Sequence, residues 1–217
     1  MADRGNTSPR TSLARFGILL LGLLVGGLAG SAEAQLTSQQ KADIGFTSLQ
    51  QRLGGSMPLG IGVSVSIVEA PDGSGNYRLN TADAELQGKT YQFPSGGSTG
   101  VSSHATTVGR YLFGTQSLAP RIGATTDGST VANYEANNWI EAGFLRPAAN
   151  QLPLVETRKL VSHSWVSFGN STAILDRLQR ADYAVRRDGT IATYALGNGS
   201  DTTIPSLMAS TYNGIVV

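Results

Sequence analysis

Glu69, His104 and Asn198 are the residues whose types and settings could do chemistry. Glu69 closes the run G-I-G-V-S-V-S-I-V-E. His104 follows Ser102 and Ser103 at the head of an apolar, helix-like run. Asn198 lies between Gly197 and Gly199, just after an apolar stretch. A histidine becomes a general base when a carboxylate fixes its tautomer and stabilises the imidazolium. An asparagine side-chain N–H can stabilise a developing oxyanion. The three together supply three of the four parts of an acyl-transfer site; the fourth is a nucleophile. Each also has a plainer role. Glu69 could be an exposed strand-end carboxylate, His104 a helix cap, and Asn198 a left-handed turn residue. Asp72 and Asp83 are rival acids, although an aspartate before glycine usually serves its own turn. His163 shares a strand with Val161 and Trp165 and reads as a packed or substrate-edge histidine. Zinc on Glu69, His104 and His163 is a further option, but their spacing matches no compact metal motif. Gly60-x-Gly62 precedes its strand and lacks a third glycine, so it is not a dinucleotide fingerprint.

The elements that must position these side chains alternate between two periods. Residues 60–69 carry β-branched residues alternating with serine, which predicts a strand ending at Glu69. Ser102 or Ser103 can cap the next helix, whose Ala105, Val108 and Leu112 recur at helical spacing and leave His104 at the exposed N-terminal end. Further helices are expected over 38–53, 133–145 and 171–187. Further strands are expected over 121–125, 159–165, 191–196 and from 215, with a short one near 89–93 inside the polar segment 72–100. Strands alternating with helices predict an α/β fold on a parallel sheet, with the site beyond the carboxyl ends of the strands.

In this order the residues carry a family resemblance. The strand ending at Glu69 resembles the subtilase strand that ends in the catalytic aspartate. S-H-A-T-T-V-G at 103–109, followed by L-A-P at 118–120, resembles the segment around the catalytic histidine of that family. S-H-S-W at 162–165 resembles the N-x-S-L strand that pairs with substrate backbone. A-L-G-N-G at 195–199 resembles the segment supplying the oxyanion asparagine, and 204–217 resembles the run that follows. The chain is therefore similar, over about residues 58–217, to the N-terminal part of a subtilisin-like serine peptidase, with a three-layer fold truncated at its C-terminus. The resemblance implies that Glu69 orients His104, that His104 is general base and then acid, and that Asn198 holds the oxyanion. It further implies that Ser164 and Trp165 meet a polypeptide substrate. No cofactor is implied beyond the structural calcium such enzymes often carry. The departures are Glu69 for aspartate, Ala105 for glycine, Thr107 for the second histidine of the motif and Val166 for glycine. The family's G-T-S-x-A-x-P nucleophile segment is absent from the 217 residues. An inactive binding or surface protein on the same fold is the alternative expectation.

The ends and the composition set the setting. Arg4, Arg10 and Arg15 precede an apolar core from Phe16 to Ala29, and Ala32-Glu33-Ala34 has the form of a cleavage site. That core is short against the roughly 20 residues of a membrane span, so a signal peptide over 1–34 and an exported protein are expected. Residues 35–57 then form an N-terminal helical segment or a propeptide remnant. Removing 1–34 leaves 13 basic and 13 acidic residues and no cysteine. The balance argues against nucleic acid as a partner, and the lack of thiols rules out disulfides and thiolate ligands.

Overall fold

Strand β1 (Val65–Glu69) is the spine of the protein, and all five of its residues are buried, including the polar Ser66 and Glu69. Continuous burial is the mark of a central strand in a parallel sheet covered on both faces. The computed structural model describes residues 36–168, 171–197 and 204–217. Around β1 it arranges β2 (Tyr91–Gln92), β3 (Val131–Glu135), β4 (Leu160–His163), β5 (Ile191–Tyr194) and β6 (Ile215–Val216). The six strands form one sheet in the order β2-β3-β1-β4-β5-β6, and every pairing is parallel. The fold is thus α/β, as the alternation of elements predicts.

Helix α3 (Ser103–Phe113) covers one face, and α5 (Ser171–Asp188) covers the other. On the α3 face, Val65 and Ile67 of β1 meet Leu79, Leu86, Ala105 and Phe113. On the α5 face, Val68 joins Val161, Ile174, Leu178 and Tyr194. Each fully buried aliphatic or aromatic side chain of this kind contributes about 1.5–3 kcal/mol. The alternation along β1 puts Glu69 on the α3 face with Val65 and Ile67. The steps β2 to β3, β3 to β4 and β4 to β5 all run in one direction across the sheet. Because their helices lie on opposite faces, the crossover through α3 has the opposite hand to the one through α5. One of them departs from the near-universal right-handed rule.

Only part of the α3 face is covered. Over β5 and β6 it presents Ile191 and Ile215, each 54% exposed, and Val217 beyond them is 74% exposed. Among the described residues no helix is long and apolar enough to cross a membrane.

Several expected boundaries move. The single helix over 38–53 is two, α1 (Ser38–Asp43) and α2 (Phe46–Leu53), broken at Gly45 with φ +75°. Residues 60–64 do not extend β1, because Gly60 and Gly62 take positive φ and a Cβ on Gly60 would lie 2.5 Å from the Ile122 side chain. Residues 121–125 hold a turn, a single bridge from Ala124 to Lys89 and the start of a 3-10 turn rather than a strand; the strand lies at β3, which overlaps the start of the expected helix 133–145. That helix starts at Ala136 as α4 (Ala136–Asn138) and widens into a π-turn over Trp139–Gly143. Ala136, Ile140 and Phe144 are nonetheless all buried, as their spacing predicts. The buried stripe of α3 is Ala105, Thr106, Gly109 and Phe113, with Val108 and Leu112 only half-buried.

Candidate active site

The side chain of Ser102 accepts the N–H of Ala105 and caps α3, a contact of about 1 kcal/mol that sets where the helix begins. The first turn of the helix then delivers His104 beside the carboxyl end of β1. Glu69 Oε2 accepts from His104 Nδ1 at 2.8 Å. The two ends of the pair differ in setting: the His104 side chain is 59% exposed and the Glu69 side chain is fully buried. Bonding through Nδ1 leaves Nε2 as the lone-pair nitrogen of the ring, which is the arrangement a general base needs.

The electrostatics follow from that difference. Burial pushes the Glu69 carboxyl above its ordinary range, and the hydrogen bond from His104 pulls it back. The bond to Glu69 raises the proton affinity of His104 against the smaller effect of its own desolvation. Glu69 Oε1 is buried and lacks a hydrogen-bond partner.

The two rival acids are committed elsewhere. Asp72 accepts the backbone N–H groups of Ser74 and Asn76 and serves its own turn. Asp83 is paired with Arg110 on α3, and that guanidinium holds its carboxyl below the usual range. Glu135, registered with Glu69 on the neighbouring strand, caps α4 by accepting from the N–H groups of Asn137 and Asn138.

His163 stands on the opposite face of the sheet from Glu69 and His104, so the three do not converge on a metal. It is 2% exposed, stacked on Tyr194 at 4.7 Å and edge-on to Trp139 at 4.6 Å. Desolvation lowers its proton affinity to a pKa of about 3. A cavity of about 10 Å³, lined in part by His163, Trp139 and Tyr194, adjoins it. Among the described residues no group of three or more histidine, aspartate or glutamate side chains is placed to hold a metal ion.

Burial alternates from Val161 to Phe168, so Ser162, Ser164 and Val166 share one side and His163 and Trp165 the other. Ser164 therefore lies on the Glu69 side. Trp165 is only 6% exposed and its ring packs 5.9 Å from His163, so its side chain belongs to the core. Val166, where the resemblance expects glycine, is 37% exposed. Asn198 lies outside the described residues.

Asn133, expected at the start of a helix, is instead fully buried on β3 and accepts the backbone N–H of Leu79 at 2.9 Å, tying the loop after β1 to the sheet. An amide residue inside the run V-A-N-Y, just ahead of Glu135, is the signal for it. No protein-family model matches the chain, and no curated protein matches it.

Proposed function

We propose that residues 58–217 are part of the catalytic domain of an exported subtilisin-like serine endopeptidase. The observation that carries this reading is the 2.8 Å bond between a fully buried Glu69 and an exposed His104 at the carboxyl end of the central strand. Glu69 orients the ring and His104 takes the proton of a serine hydroxyl through Nε2, then returns it to the leaving amine. The ordered series of motifs from Glu69 to the 204–217 segment supports the same reading. In it, Asn198 holds the oxyanion, and the nucleophile sits on a segment outside residues 36–217. The exposed part of the α3 face, over β5 and β6, leaves room for such an element on the same side of the sheet as His104.

Sequencing the coding region past Val217 and treating the exported product with a fluorophosphonate probe tests this. The expected result is an in-frame G-T-S-x-A-x-P segment labelled at its serine, with labelling lost in His104→Ala. A product without that segment and without labelling overturns the peptidase reading. It would leave the binding reading, which the exposed Val166 favours because its side chain would crowd an approaching peptide backbone.

A further inference from the structure

We propose that Ser164 is a positioning residue for the Glu69–His104 pair, donating its hydroxyl hydrogen to Glu69 Oε1. The proposal rests on the reading of Glu69 as the acid that orients His104. It starts from an unpaid need: Oε1 is buried in a side chain with no exposure, and it has no partner. An acceptor left in that state costs about 1–3 kcal/mol, and more when charged. Native structures fill such places.

Of the residues directly beside Glu69 on the two flanking strands, one carries a hydroxyl. His104 already uses Oε2 and is the charged group acting on this carboxyl. On β3 the registered neighbour is Glu135, whose oxygens are taken by Asn137 and Asn138 and which has no hydrogen to give when ionised. On the other side, β4 is registered so that Ile67 meets Ser162 and Val68 meets His163. Ser164 follows His163 as Glu69 follows Val68, one step past the last registered pair. The burial alternation keeps Ser164 on the same face as Ser162, and their hydroxyls are 3.5 Å apart. That separation is long for an O–H···O bond, whose usual range is roughly 2.5–3.0 Å. The Ser164 hydroxyl is therefore not committed, and another staggered χ1 well redirects it. A donor on Oε1 favours the carboxylate over the neutral acid and so opposes the effect of burial. It keeps Glu69 ionised, and His104 oriented, to lower pH.

The test needs no turnover, so it stands or falls separately from hydrolysis. The chain is labelled with ¹³C and ¹⁵N, and the Glu69 carboxyl shift and the His104 Nδ1–H signal are followed against pH. In Ser164→Ala, the protonation midpoint of Glu69 is expected to rise by about one pH unit, and the Nδ1–H signal to change at the same higher pH. Ser164→Gly, which also lacks the hydroxyl, should behave alike, and Ser164→Thr should restore the original midpoint. Ser162→Ala should leave it in place. An unchanged midpoint in Ser164→Ala or Ser164→Gly, or an equal shift in Ser162→Ala, overturns the proposal.

Discussion

His104 and His163, the two histidines of the chain, stand on opposite faces of one sheet and are driven in opposite directions by their surroundings. The first is exposed and bonded to a carboxylate. The second is enclosed by Trp139, Trp165 and Tyr194, and neither of its ring nitrogens has a hydrogen-bond partner. Their contributions to stability therefore have opposite dependences on pH.

For His104 the folded protein binds its proton more tightly than the unfolded chain. The stabilisation is fully present below the unfolded value of roughly 6.5 and is lost as pH rises through the higher folded value. Glu69→Gln removes the carboxylate, so the titration midpoint of His104 should return toward the ordinary value. The decline in melting temperature above about pH 6.5 should flatten with it. Proton NMR titration and thermal melts across that range check both. A His104 midpoint unmoved by Glu69→Gln would mean that the 2.8 Å contact does not govern the ring.

For His163 the sign is reversed. The unfolded chain takes up a proton as pH falls below roughly 6.5, while the folded state resists until about pH 3, so stability is lost over that window. His163→Phe keeps an aromatic ring in the box and removes two unpaired buried nitrogens. The expected gain is about 1 kcal/mol at pH 7, read as a melting temperature higher by about 2–4 °C, and a larger gain near pH 4. A variant less stable than the parent at both pH values would show that the imidazole nitrogens are satisfied in solution.

The uncovered part of the α3 face makes a third prediction. Ile191 and Ile215 lie on adjacent strands, and each residue is more than half exposed. Neighbouring apolar side chains on an open sheet promote association. Ile215→Lys should raise the concentration at which the 217-residue chain stays monomeric by several-fold, without lowering its stability by more than about 0.5 kcal/mol. Sedimentation velocity over a concentration series measures it. Unchanged association would place the sticky surface elsewhere.

Local patterns carried the site further than they carried the sheet. The end of β1 at Glu69, a serine cap ahead of His104 and the extent of α5 were legible because each depends on residues within a turn or two. Strand β3 was not, since the buried Asn133 breaks its apolar run and its worth depends on a distant backbone N–H at Leu79. The π-turn at Trp139–Gly143 kept the helical spacing of its buried residues while changing the hydrogen bonds beneath them. The rotation of the buried stripe on α3 toward Thr106 and Gly109 depends on the hydroxyl of Thr106, which donates to the carbonyl of Ser102 and accepts from the N–H of Asn80. No short-range pattern reveals that β1 lies between β3 and β4.

That central place has a consequence for the order of folding. Val65 on β1 is flanked by Val131 on one side and Leu160 on the other, so the strand made first has both partners far ahead in the chain. Loop closure must be paid before either pairing forms, which makes assembly of this sheet slow compared with a hairpin-built one. During synthesis, the apolar face of β1 waits until the chain has grown through His163. The burial of Glu69 is then a late event, and His104 gains its partner only when the sheet has closed around the strand made first.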